Sequence, residues 1–170
     1  MAKKKQSSDV KIGYVSGGIH GSIISGKDIR DVIITIEGRE IKADTEPNIN
    51  DLLQLLTAIK RDLSEMESKS HILNEISVAA PFIIQGAERS IKETTENVTS
   101  DLDSQEAESI QNRLSDVIKI LTVVLDGART LANKTYEVGQ SVAPIIEKLE
   151  PLIMKIGIVA MWIDKLWSAK

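Results

Sequence analysis

The sequence predicts a mainly α-helical protein: long amphipathic helices in a hairpin or bundle of coiled-coil character, behind a short glycine-rich β segment. Three observations predict it. Six of the ten glycines fall between residues 13 and 38. Apolar residues then recur at helical spacing, and from Leu114 onward they hold a heptad register. The apolar material is also aliphatic: hydrophobic residues make up 42% of the 170-residue chain, with one Phe, two Tyr and two Trp among them. An Ile/Leu/Val/Ala core suits helix–helix packing and flat β ladders better than an aromatic-lined ligand pocket.

Residues 1–9 read as a flexible basic terminus carrying Lys3, Lys4 and Lys5. Residues 10–43 form the Gly/Ile-rich β segment, where β-branched residues separated by single glycines predict short strands and tight turns. Val32, Ile34 and Ile36 alternate with Asp31, Ile33, Thr35 and Glu37, and a second strand from about Arg39 to Lys42 is placed to pair across Glu37-Gly38. So few strands cannot bury a core alone. The segment is therefore expected to pair with copies of itself or with a helix, with Gly21, Ile23, Ile24, Ile33 and Ile34 carrying assembly.

Residues 44–50 read as a hinge, since Asp44, Pro47, Asn48 and Asn50 are turn and N-cap types. Residues 51–100 read as helical. Leu52, Leu56, Ile59, Leu63 and Met66 recur every three or four positions, and Leu73, Ile76, Ala80, Ile83, Ala87 and Ile91 resume the pattern. Pro81 predicts a break near Ala79-Ala80, because proline lacks an amide donor and clashes with the preceding turn. The polar run 94–109 reads as a connection, with Asp103 and Glu106 resembling a capping box.

Residues 101–170 carry the heptads. With Leu114 as position a, the a positions are Leu114, Leu121, Ala128, Thr135, Val142, Leu149, Ile156 and Ile163. The d positions are Val117, Val124, Leu131, Val138, Ile145, Leu152, Val159 and Leu166. Thr135 alone interrupts them, and Ile118, Leu125, Ile146, Ile153 and Trp167 at e widen the face to that of a bundle helix. Pro144 and Pro151 both fall at position c, opposite the core, where proline can bend a helix without breaking it. A break at Gly139-Gln140-Ser141 is the competing reading. Unbroken from Ser104 to Trp167, the helix would be a rod of about 95 Å, so it either breaks or enters an assembly.

Chemistry-bearing motifs are weak. The stretch 21–28, GSIISGKD, approaches a phosphate-binding loop, but Asp28 replaces the hydroxyl that would hold magnesium and would repel a phosphate. His20 and His71 are the only histidines, there is no cysteine, and no spacing converges metal ligands or a nucleophile–base pair. No catalytic, cofactor or metal residue is expected, nor is an enzyme. A net charge of −4 argues against nucleic acid as the main partner. The basic start lacks an apolar run behind it, so no secretory signal is expected and the cytoplasm is the default location.

The C-terminal stretch differs. Residues 156–163 are apolar all round and end in Trp162 and Trp167 among lysines. Eight residues are too short to span a bilayer, which needs about 20, but Trp and Lys at the end of an amphipathic helix fit an interfacial anchor. Ile156, Val159, Trp162, Ile163 and Trp167 are expected either to meet membrane lipid or to pack in an oligomer core.

The fragment 19–26, IHGSIISG, followed by the helix from Leu52 and the heptads from Leu114, resembles a loosely defined group of bacterial proteins of unassigned role. These join I-x-G-S-I-I-x-G segments to a helical region and sometimes occur beside immune and cell-death modules. The resemblance implies a signalling or effector role and supplies no catalytic residues. The functional expectation is a self-assembling, non-enzymatic helical protein, with itself as first partner and its apolar C-terminal helix delivered to a membrane in a defence or cell-death setting. The alternative is a soluble oligomeric scaffold or adaptor that binds a protein partner through its helical bundle.

Overall fold

The computed structural model describes residues 10–14, 32–36, 39–42 and 47–168. Three antiparallel strands, β1 (Val10–Tyr14), β2 (Val32–Ile36) and β3 (Arg39–Lys42), form one sheet in the order β1-β2-β3. Ile36 pairs with Arg39 across the Glu37-Gly38 position, as the alternation in the sequence predicts. Ile41 is half-buried against the helical core, so the sheet is tied to the helices within one chain.

The helical region is α1 (Ile49–Glu67), α2 (Ser70–Ile76), α3 (Ala80–Asn97), α4 (Ser104–Ala132) and α5 (Tyr136–Ile163), closed by a π-helical turn at Asp164–Ser168. α1 packs on α3 and α5, and α4 packs on the same two, so the four long helices form a closed ring. Polar cross-links give the directions. Glu65 and Asp62 of α1 meet Lys148 and Lys155 of α5, so those helices run antiparallel. Arg129 and Gln111 of α4 meet Glu150 and the Ala160 carbonyl of α5, again antiparallel. The result is an up-down-up-down bundle.

The starts of the four long helices have a chemical cause. Asn48 Oδ1 accepts from the Asp51 amide at 2.8 Å, Asp103 Oδ1 from Glu106 at 2.7 Å, and Thr135 Oγ1 from Val138 at 3.1 Å, satisfying amides that the first turn leaves unpaired. Pro81 sits in the first turn of α3, where a missing amide costs nothing. The connection before α4 spans only residues 98–103, shorter than the polar run 94–109, because α3 runs on to Asn97, with the Thr94 and Thr95 hydroxyls bonded to the Ser90 and Ile91 carbonyls, and the Asp103 cap starts α4 at Ser104.

The heptad stretch breaks ahead of the region 139–151. Its turn lies at residues 133–135, and α5 continues through Gly139, Pro144 and Pro151. Thr135, the one outlier among the a and d positions, is the N-cap of α5. Gly139 serves a close approach: a Cβ there would lie 2.9 Å from the Ala132 carbonyl oxygen. Pro144 is exposed and Pro151 half-buried, on the outer side of a helix that bends rather than ends. The hairpin removes the need for a long rod. α4 and α5 are each about 42 Å long and α1 and α3 about 28 Å, and α2 fills the difference, with Ile76 against Gly127 of α4.

Residues 152–159 are buried without interruption. Eight residues exceed two helical turns, so α5 is enclosed round its whole circumference there. Lys155 is the one charge inside this stretch, 7% exposed, and it donates to Asp62 Oδ2 at 2.9 Å.

Candidate interaction surface

Among the described residues, few large apolar side chains escape this core. Val78, Phe82, Ile120 and Val123 are exposed at 78%, 68%, 38% and 64%. A fifth, Tyr136, stands apart at the α4–α5 turn, where its hydroxyl accepts from Gln140 Nε2 at 3.0 Å. Scattered single apolar residues on a surface need no account, whereas a contiguous group marks an interaction site.

Their contiguity follows from helix geometry and one ion pair. Arg113 of α4 meets Glu93 of α3 at 3.8 Å and fixes the relative height of those helices. Phe82 lies about three turns before Glu93, on the same flank of α3. Ile120 lies two turns after Arg113 on the same flank of α4, and Val123 one turn further. Because α3 and α4 are antiparallel, Phe82 and Val123 reach the same height. Nothing lies within 4 Å of the point where a Cβ on Gly86 would stand, one turn from Phe82, so this side of α3 faces open space. Val78, just ahead of α3, is exposed as well. Beyond it lies an open cleft of about 320 Å³ lined by Ile76, Asp126, Gly127, Thr130, Leu131 and Lys134.

The charges around the bundle are arranged to hold helices together. Lys148 donates to Glu65 at 2.5 Å, and this hydrogen bond holds the Glu65 carboxyl below the usual carboxylate range. Arg129 binds Glu150 and stands 4.0 Å from Asp126. Between α1 and α3, Glu67 and Glu88 face each other. The hydrogen bond to Glu88 pushes Glu67 up, while the same bond, and a second from Ser64 at 2.5 Å, bring Glu88 down. The same hydrogen bond thus moves the two carboxyls in opposite directions. Near the start of α4, the charge of Asp103 raises Glu106, and the Thr99 hydroxyl lowers Asp101.

Among the described residues no group of three or more His, Asp or Glu side chains is placed to hold a metal ion. No described helix is long and apolar enough to cross a membrane. His71 is exposed.

The residues expected to carry assembly divide. Gly21, Ile23 and Ile24 lie outside the described residues, as do His20 and Lys27. Ile33 and Ile34 sit in β2, opposite Gly13 and Ile12 of β1 and Lys42 and Ile41 of β3. The residues expected to meet lipid or an oligomer core are packed in the chain's own core: Ile156, Val159, Trp162 and Ile163 are fully buried and Trp167 is 2% exposed. An apolar stretch is enclosed when enough helices of its own chain surround it. The surface patch itself was missed at the level of sequence, although it left a signal. In the heptad register Ile120 falls at g and Val123 at c, outward positions where polar residues are the rule.

No protein-family model, curated protein or solved structure matches the chain.

Proposed function

We propose that the chain is a non-enzymatic, self-associating scaffold: a closed helical bundle that keeps its apolar C-terminal helix inside and associates through the exposed α3–α4 face. The reading rests on the exposure of Val78, Phe82, Ile120 and Val123, with Phe82, Ile120 and Val123 at similar heights on the outer sides of neighbouring helices, while the other large apolar residues of the bundle, Tyr136 apart, are wholly or partly enclosed. Leaving these side chains partly in water forgoes a share of the roughly 1.5–3 kcal/mol that full burial of each would return, least for Ile120 at 38% exposure, and a partner's surface recovers it. The intramolecular pairing of α4 with α5 supports the scaffold side of the expectation, since the heptads are already satisfied within one chain.

Light scattering over a dilution series, with and without anionic liposomes, tests the reading. The molar mass should exceed one chain, fall on dilution, fall further with Phe82→Asp, and ignore lipid. A single-chain mass at every concentration would sink it.

A second reading, delivery of α5 to a membrane as in a defence or cell-death effector, draws on a different observation. Residues 152–159 are apolar on every side apart from Lys155, and Trp162 and Trp167 follow. For α5 to reach lipid, the contacts of Lys155 with Asp62 and Lys148 with Glu65 must open. Flotation with liposomes of Asp62→Asn, but not of the wild type, would support this reading; absence of both from the floating fraction would remove it.

A further inference from the structure

We propose that the exposed face of α4 is self-complementary and binds a second copy of this chain in antiparallel orientation, about a two-fold axis at Val123. This rests on the self-association reading and supplies its geometry. Asp116, Lys119, Val123, Asp126 and Thr130 form the outward strip of α4, all of them exposed, with Val123 at its centre. At about 100° per residue, Lys119 and Asp126 fall on one flank of Val123, while Ile120 and Gly127 fall on the other, towards α3.

A two-fold axis perpendicular to α4 at Val123 exchanges residues before Val123 with residues after it and keeps each flank on its own side. Lys119 precedes Val123 by four positions and Asp126 follows it by three. Their heights therefore match to within one residue's rise, about 1.5 Å, and each Lys119 meets Asp126 of the partner copy. The other flank behaves alike. Each Ile120 meets Gly127 of the partner copy, the sole glycine of α4, at the open cleft of about 320 Å³ that Ile76 and Leu131 also line. Val123 packs on Val123, and Asp116 comes opposite Thr130, so no like charges oppose. A parallel pairing would swap the flanks and set Lys119 and Asp126 against the partner's Ile120 and Gly127, leaving both charges without an opposite partner across the interface. Such an interface is isologous: every contact off the axis occurs twice, and the dimer closes. Asp126 lies 4.0 Å from Arg129 and keeps 66% of its side chain exposed, which leaves it able to receive Lys119. Phe82 and Val78, on the Ile120 flank, widen the apolar contact.

Charge reversal on the full chain tests the pairing, with the dissociation constant read by sedimentation equilibrium. The wild type should reach twice the 18.7 kDa chain mass. Lys119→Asp and Asp126→Lys alone should each weaken the dimer by about tenfold or more, because each variant places like charges together at two symmetry-related contacts. The double variant should return to within about threefold of the wild type. Both positions are exposed, so circular dichroism should match throughout. A wild-type oligomer indifferent to both single reversals, or single losses that the double variant does not recover, would overturn the antiparallel α4 pairing and leave self-association standing. A wild type monomeric at millimolar concentration would overturn both.

Discussion

The second half of α5 and the outward face of α4 are opposites in sequence and in exposure. Residues 152–163 of α5 are almost wholly apolar, yet only Ala160 and Met161 among them reach even partial exposure. The α4 face is polar at most positions, yet it presents Val123 and Ile120 to solvent beside Phe82. Apolar density along a chain therefore measures how many neighbours a helix has, not how much of it is on view. One apolar residue at an outward heptad position says more about contact with another molecule than eight apolar residues in a row. The core row is matched by α1, α4 and the closing π-helical turn, and nothing in the described chain matches the exposed pair.

The sharpest way to test the contrast is to truncate one side chain from each region. Trp162→Ala should cost about 4 kcal/mol of folding stability, since a fully buried indole leaves a cavity that the bundle cannot refill. Val123→Ala, 64% exposed in the free chain, should change it by less than about 0.5 kcal/mol when measured below the concentration of association. Urea unfolding reads both. Comparable losses at the two positions would mean that Val123 is covered in the free protein.

The buried lysine provides a second test. Lys155 and Asp62 have side chains only 9% and 15% exposed, and their separation of 2.9 Å is that of a charge-assisted hydrogen bond. Removing one partner strands the other charge, so Asp62→Ala should destabilise by about 3 kcal/mol. Replacing both, as Asp62→Leu with Lys155→Met, should restore most of that loss, because an apolar pair of similar volume is often as stable as a buried ion pair. If the double replacement is no better than the single one, the pair holds α5 in register rather than merely satisfying its charges. A gain in liposome binding by Asp62→Ala alone would favour the membrane reading.

Much of the fold was legible because its signals are local. The caps at Asn48 and Asp103, the start of α3 at Pro81 and the pairing of β2 with β3 each depend on a few adjacent residues. The place of the hairpin turn was harder to read. Thr135 looked like a flaw in the register and Gly139 like a helix breaker, but a cap and a close approach are nearly indistinguishable from those in one dimension. The roles separate on mutation. Gly139→Ala should cost about 2 kcal/mol, since the added carbon must displace backbone rather than a flexible side chain. Thr135→Ala should cost about 1 kcal/mol, the usual worth of an N-cap. The α3–α4 patch was not legible, because Phe82 and Val123 stand about forty residues apart and the Arg113–Glu93 pair that sets their relative height exists only once the helices have met.

The smallest expected effect lies between α1 and α3, where the hydrogen bond between Glu67 and Glu88 moves their two carboxyls in opposite directions. The folded-state pKa of Glu67 lies above its ordinary value, first because of the hydrogen bond to Glu88. Its contribution to stability is therefore present below the unfolded pKa and is lost as pH rises through the folded one. Glu88, held low by Glu67 and Ser64, contributes in the opposite sense, above the unfolded value, and loses that contribution as pH falls through its own folded pKa. At neutral pH both carboxylates are charged and repel. Glu67→Gln keeps a donor for Glu88 and removes the repulsion, so it should stabilise the bundle at pH 7 by about 0.3 kcal/mol, small because both groups are largely solvated and screened. The gain should shrink as pH falls through the Glu67 titration, where the wild type acquires the same donor by protonation, and should diminish in high salt. Thermal unfolding of the two proteins between pH 4 and pH 7 measures it. A stability difference that stays constant with pH would mean that the two carboxyls act independently and that the α1–α3 contact is held without their shared hydrogen bond.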